Sequence, residues 1–168
     1  MRGRGKRRHR RNTLVLALLA LCFLGMSCAK ARERAECKTF IGRLNGAIAE
    51  TDKGIARLPE GSRNAPQMLE LAKHYDSLAT QVEEIQLENP ELAQHSREYA
   101  NMVQRAAAAA RLMASALEQS DPKKLELAKQ SWTTAVADAQ KLQTQINLTC
   151  AARGDAASQL GSLEHLFQ

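Results

Sequence analysis

Aromatic residues are scarce in this chain: one Trp, two Tyr and three Phe among 168 residues, 4% in all. Strands draw on aromatic and β-branched side chains, so the shortage argues against a sheet. Proline occurs at only four positions, 59, 66, 90 and 122, and long helical stretches lie between them. Signatures of chemistry are missing too. Histidines 74, 95 and 165 of the mature region have no partner at a metal-ligand spacing, and no Cys-x-x-Cys-His or Glu-x-x-His pair occurs. There is no Gly-x-Ser-x-Gly elbow and no phosphate-cradling glycine loop. The expectation is a protein that is not an enzyme and holds no metal or cofactor. No apolar run reaches the roughly 20 residues of a membrane span. The longest, Leu14 to Met26, suits a signal segment better.

An excess of charge is also missing once the chain is divided. Overall it carries 24 basic and 18 acidic side chains, net +6. The first 28 residues hold seven of the basic groups, from Arg2 to Arg11, and no acidic ones. That leaves 17 basic against 18 acidic side chains, net −1, for the rest. A nucleic-acid binder needs a basic face on its folded domain, so no nucleic-acid partner is expected.

A basic start, a short apolar run and small residues ending in Leu24-Gly25-Met26-Ser27-Cys28 describe an export leader. The residues Gly25-Met26-Ser27-Cys28 resemble the lipobox of bacterial lipoproteins. Gly25 stands where that family usually has Leu, and Leu24 lies one position earlier. The resemblance implies a diacylglycerol group on Cys28, cleavage just before it, and a protein anchored by lipid in the cell envelope, with Ala29 pointing to the outer membrane. Ala29-Lys30-Ala31 offers a second cleavage site, which would leave a soluble periplasmic or secreted protein. The resemblance covers the leader alone. The expected organisation is a signal peptide at 1–27, a short tether at 28–36, a helical domain at 37–152 and a tail at 153–168. The Asn147-Leu148-Thr149 glycosylation triplet reads as coincidence in a bacterial protein.

The region after the leader is rich in Ala, Leu, Gln, Glu and Lys, all good helix formers. Turn signals cut it into four expected helices. The first covers about 32–58, with Cys37, Ile41, Leu44, Ile48, Ile55 and Leu58 on one face, and ends at Pro59-Glu60-Gly61. The second, at about 65–88, is capped by Asn64 and carries Met68, Leu71, Tyr75, Leu78, Val82 and Ile85. The third and fourth open at Asn89-Pro90 and Asp121-Pro122, a cap followed by proline in the first turn. Their seams run from Leu92 to Leu117 and from Leu125 through Trp132 to Cys150. Spacings that alternate between three and four residues keep one seam facing its neighbours. Short connections then give an all-α, up-down-up-down four-helix bundle.

The cysteines fit this topology. Cys22 lies inside the leader and Cys28 takes the lipid, which leaves Cys37 and Cys150 in an oxidising compartment. Both lie on apolar seams, near the start of the first helix and the end of the fourth. A bridge between them is the simplest pairing. If the third and fourth helices turn back near residue 120, Trp132 lies level with the alanine run at 106–110, large against small. Leu69-Glu70-Leu71-Ala72-Lys73 recurs at 125–129, as common helix residues will.

Two functions follow as expectations. A lipid-anchored interaction or structural module would hold its bridged end near the membrane and present the first turn, with Gly61, Ser62, Arg63 and Asn64, to an unknown envelope protein. Alternatively, the bundle carries a small apolar ligand or cofactor between its helices. Oligomeric state and the role of the tail have no signal in the sequence.

Overall fold

The structure, a computed structural model, describes residues 5–59 and 64–161, of which 5–28 are described by backbone alone. It is an all-α, up-down-up-down four-helix bundle, with no strand among the described residues. The elements are α1 (Gly5–Ile55), α2 (Ala65–Glu83), α3 (Pro90–Glu118) and α4 (Pro122–Ala152).

Local chemistry sets most helix boundaries. Asn89 Oδ1 accepts the amides of Glu91 and Leu92, and Asp121 Oδ1 accepts those of Lys123 and Lys124, satisfying donors that a helix start leaves open. Asn64 and Gln67 form a reciprocal capping box: Asn64 Oδ1 accepts from the Gln67 amide, and Gln67 Oε1 accepts from the Asn64 amide. At the other termini, α3 and α4 close with the same two-bond motif. Asp121 N–H donates to Ala116 O and Ser120 N–H to Leu117 O; Asp155 N–H donates to Cys150 O and Gly154 N–H to Ala151 O. That motif needs a left-handed residue. Gly154 supplies it at φ +83 with no steric cost, and Ser120 supplies it at φ +51 with one.

Three boundaries differ from the sequence reading. The first helix is continuous from Gly5, through the stretch expected as a tether, and stops at Ile55 rather than Leu58. The second stops at Glu83 rather than 88. Pro90 disfavours helical backbone at Asn89, which is extended at φ −72, ψ 120. The Glu36 carboxylate then takes the amides of Glu88 and Asn89, at 2.6 and 2.9 Å. Ile85 and Leu87 still reach the core from this turn.

The seams pack as their spacing requires. Phe40, Leu44, Tyr75, Leu78, Leu92 and Tyr99 are fully buried and anchor the core. Removing one such aliphatic or aromatic side chain from water contributes about 1.5–3 kcal/mol. α3 sits centrally, with α2 and α4 as its close neighbours. It is buried on a wide face because Ala100, Ala106, Ala107 and Ala110 let other helices approach. Trp132 lies at the expected level, since Ser131 and Thr134 share a surface groove with Ala108 and Ala109. Its ring partner, however, is Tyr75 on the diagonal helix α2, with centroids 5.6 Å apart and planes at 60°. The two copies of Leu-Glu-Leu-Ala-Lys share only the burial of Ala72 and Ala128; the exposed leucine is Leu69 in one and Leu127 in the other.

α1 and α4 barely touch along their length. The start of the tail fills the gap. Leu160 is buried in the main core, and the chain around it is fastened from both sides. Asn147 Oδ1 accepts the Leu160 amide at 2.8 Å, and Gln143 Nε2 donates to the Leu160 carbonyl at 3.1 Å. From α1, Asn45 Nδ2 donates to Gln159 O, and its Oδ1 accepts the Gly161 amide. The rest of the tail, with Leu163, Leu166 and Phe167, lies outside the described residues.

Candidate functional site

The topology gives the molecule two unlike ends. At the closed end, Cys37 and Cys150 form a disulfide, with Cα atoms 5.6 Å apart and both residues fully buried. Around it, three distant stretches of chain meet. Glu36 on α1 holds the α2–α3 turn, as described above. Arg153 at the end of α4 donates to Glu91 Oε2 at 2.6 Å, to Asn89 Oδ1 at 3.3 Å and to the Thr149 carbonyl at 3.1 Å. The hydrogen bond from Arg153 holds the Glu91 carboxyl below its ordinary range, against partial desolvation, with Thr149 and His95 adding to the lowering. Arg32 and Glu88 add an exposed ion pair.

The opposite, open end has no disulfide; there Lys124 Nζ donates to Ser115 Oγ at 2.7 Å, and Gln67 Nε2 donates to the Pro59 carbonyl at 3.0 Å. Here α2 begins, α3 ends and α4 begins. Met68, Met113, Leu117, Leu125 and Trp132 converge there on a groove of about 430 Å³, with Lys129 and Thr133 at its margin. The Thr133 hydroxyl donates to the Lys129 carbonyl at 3.0 Å. The Lys129 ammonium has no ion-pair partner among the described residues. Every wall residue was legible as a seam position; their failure to close over one another was not. The alanine-rich seam is closely packed, with Ala106, Ala107 and Ala110 fully buried.

A second groove, of about 690 Å³, runs between α1 and α2 and is polar. Glu50, Lys53, Arg57, His74, Ser77 and Gln81 surround a floor that includes Gly46 and Gly54. A Cβ on Gly54 would come within 2.5 Å of the His74 ring, so a larger residue there must displace the imidazole.

The remaining sequence candidates divide. The Cys28 side chain and residues Gly61, Ser62 and Arg63 lie outside the described residues, as does His165. Asn64 is exposed, and its side-chain oxygen is committed to the α2 cap. His95, expected on an exposed face, is 12% exposed in its side chain, because it packs between α3 and α4. Its Nε2 lies 3.1 Å from Thr149 Oγ1, and its buried Nδ1 has no hydrogen-bond partner among the described residues. Asn147 of the glycosylation triplet is occupied by the tail. Burial pushes the Tyr99 hydroxyl far above its ordinary range, with Tyr75 and Asp52 reinforcing the shift, so it stays neutral in the core.

Among the described residues, no group of three ligating side chains could hold a metal ion. No helix there is long and apolar enough to cross a membrane. No family model, curated protein or solved structure matches the chain.

Proposed function

We propose that this chain is a lipid-anchored module of a bacterial cell envelope, a helical interaction or structural protein rather than an enzyme. The observation that carries the reading is the position of the disulfide on α1. Cys37 lies nine residues after Cys28 on one unbroken helix. At about 1.5 Å per residue, that separation is roughly 14 Å. Lipid on Cys28 would therefore hold the closed end just above the membrane. The turn at 59–64 and the open end would face away from it, toward an envelope partner.

The intact mass of protein extracted from the producing cells tests the anchor. The expected species begins at Cys28, carries acyl groups and lacks two hydrogens for the disulfide. Cys28→Ser should abolish the acyl mass and move the protein out of the membrane fraction. A species that begins at Arg32 without lipid would overturn the reading. Alanine replacement of Gly61, Ser62, Arg63 and Asn64 tests the partner: if every co-purifying protein is retained, that turn is not the contact.

A second reading, a carrier of a small apolar ligand, is favoured by the groove at the open end. Its volume, about 430 Å³, lies within the usual range of ligand sites, and its walls are mostly apolar.

A further inference from the structure

We infer that the groove at the open end binds a single-chain amphiphile with an anionic head, such as a medium-chain carboxylate. The inference rests on the carrier reading and names the chemistry of the cargo. Met68, Met113, Leu117, Leu125 and Trp132 supply an apolar trough with no polar side chain among them. Two of the five are methionines, whose unbranched, polarisable side chains re-pack around a flexible chain better than rigid aliphatics do.

The margin decides the head group. Thr133 has spent its hydroxyl proton on the Lys129 carbonyl. That leaves the Lys129 ammonium as the only charged group lining the groove, exposed and unpaired among the described residues. A cation at the mouth of an apolar trough is complementary to an acyl chain that ends in a carboxylate. It gives a neutral chain nothing in return, and it repels a cationic one. The groove faces away from the end nearest Cys28, so the ligand would be a free amphiphile and not the protein's own anchor.

Trp132 is the single tryptophan of the chain and lines the groove, so its emission reports directly on occupancy. The disulfide-bonded protein is titrated with a brominated dodecanoate below its micelle concentration. Bromine quenches indole on contact, and saturable quenching of Trp132 is expected. Unlabelled dodecanoate should compete about two- to fivefold better than dodecanol. Lys129→Glu alters an exposed residue and leaves the fold intact. It should weaken dodecanoate severalfold, up to about tenfold, at low salt and leave dodecanol unchanged. Equal competition by the alcohol and the acid, with Lys129→Glu inert, would overturn the anionic head and leave the carrier reading standing. Absence of saturable quenching would overturn both, as expected if the groove receives a partner protein's helix instead.

Discussion

The two ends of this bundle are built from the same kinds of residue and held by different means. At the closed end, a disulfide, the Glu36 carboxylate and the Arg153 guanidinium tie α1, the α2–α3 turn and α4 into one unit. At the open end no disulfide acts; Lys124 hydrogen-bonds Ser115, Gln67 Nε2 donates to the Pro59 carbonyl, an exposed Arg111–Asp76 ion pair joins α3 to α2, and the packing is incomplete around Trp132. Cohesion therefore rests on a covalent bridge and partly buried polar bonds at one end, and on exposed polar contacts and open packing at the other. An element that must bind something gains from the second arrangement, because low local stability leaves room to adapt.

The largest test of this contrast removes the disulfide. Cys37→Ala with Cys150→Ala opens a loop closed across a separation of 113 residues. It should cost about 2–5 kcal/mol, read as a fall in the urea midpoint of the oxidised protein. An unchanged midpoint would mean that hydrogen bonds alone hold the closed end, and the contrast would shrink to a difference in polar contacts.

Next comes one truncation made at two levels. Leu78→Ala strips a fully buried side chain from the centre and should cost about 2–5 kcal/mol. Met113→Ala removes a half-buried side chain beside an existing groove and should cost about 1 kcal/mol or less. Equal losses in chemical unfolding would show the open end to be as tightly packed as the centre.

What the sequence made legible, and what it hid, follows a division between near and distant contacts. The seams, the caps at Asn64, Asn89 and Asp121, and the pairing of the two remaining cysteines are local patterns or follow from topology, and all could be read in advance. Phe40, Ala47, Ala72 and Ala79 are buried beside the expected stripes; alanine carries too little apolar signal to mark a face. The Glu36 bond to Asn89 spans 53 residues and the Asn45 bond to Gly161 spans 116, and no periodicity announces either. The place of Leu160 had no signal in the sequence because the gap it fills exists only where α1 and α4 diverge. The groove was hidden for a similar reason. A seam residue reads the same whether or not a neighbouring layer covers it.

A smaller effect is expected at the α3–α4 turn of the open end. Ser120 holds the left-handed position that closes α3, at φ +51. A side chain costs about 1–2 kcal/mol in that conformation relative to glycine. Glycine also loses more backbone freedom on folding, so Ser120→Gly should stabilise by about 1 kcal/mol or less, seen as a higher thermal midpoint. No gain would mean that this turn opens before the rest of the bundle, which would sharpen the contrast between the ends.

The smallest effect lies at the closed end and depends on pH. The Glu91 carboxyl titrates below its ordinary 4.5, chiefly because Arg153 hydrogen-bonds its ionised form. A folded value lower than the unfolded one means that the native state resists protonation. The stabilisation is complete above about pH 4.5 and is lost as pH falls through the lower, folded value. Glu91 is 54% exposed in its side chain, so solvent and salt screen the pair and the contribution is a fraction of that of a buried bridge. Urea midpoints of the wild type and Glu91→Gln should therefore differ at pH 6 and converge as pH falls through the lowered, folded value, and added salt should narrow the gap at pH 6. Parallel pH profiles would remove Glu91 from the forces that fasten the closed end, leaving the Arg153 bond to Asn89 to bind α4 to the start of α3.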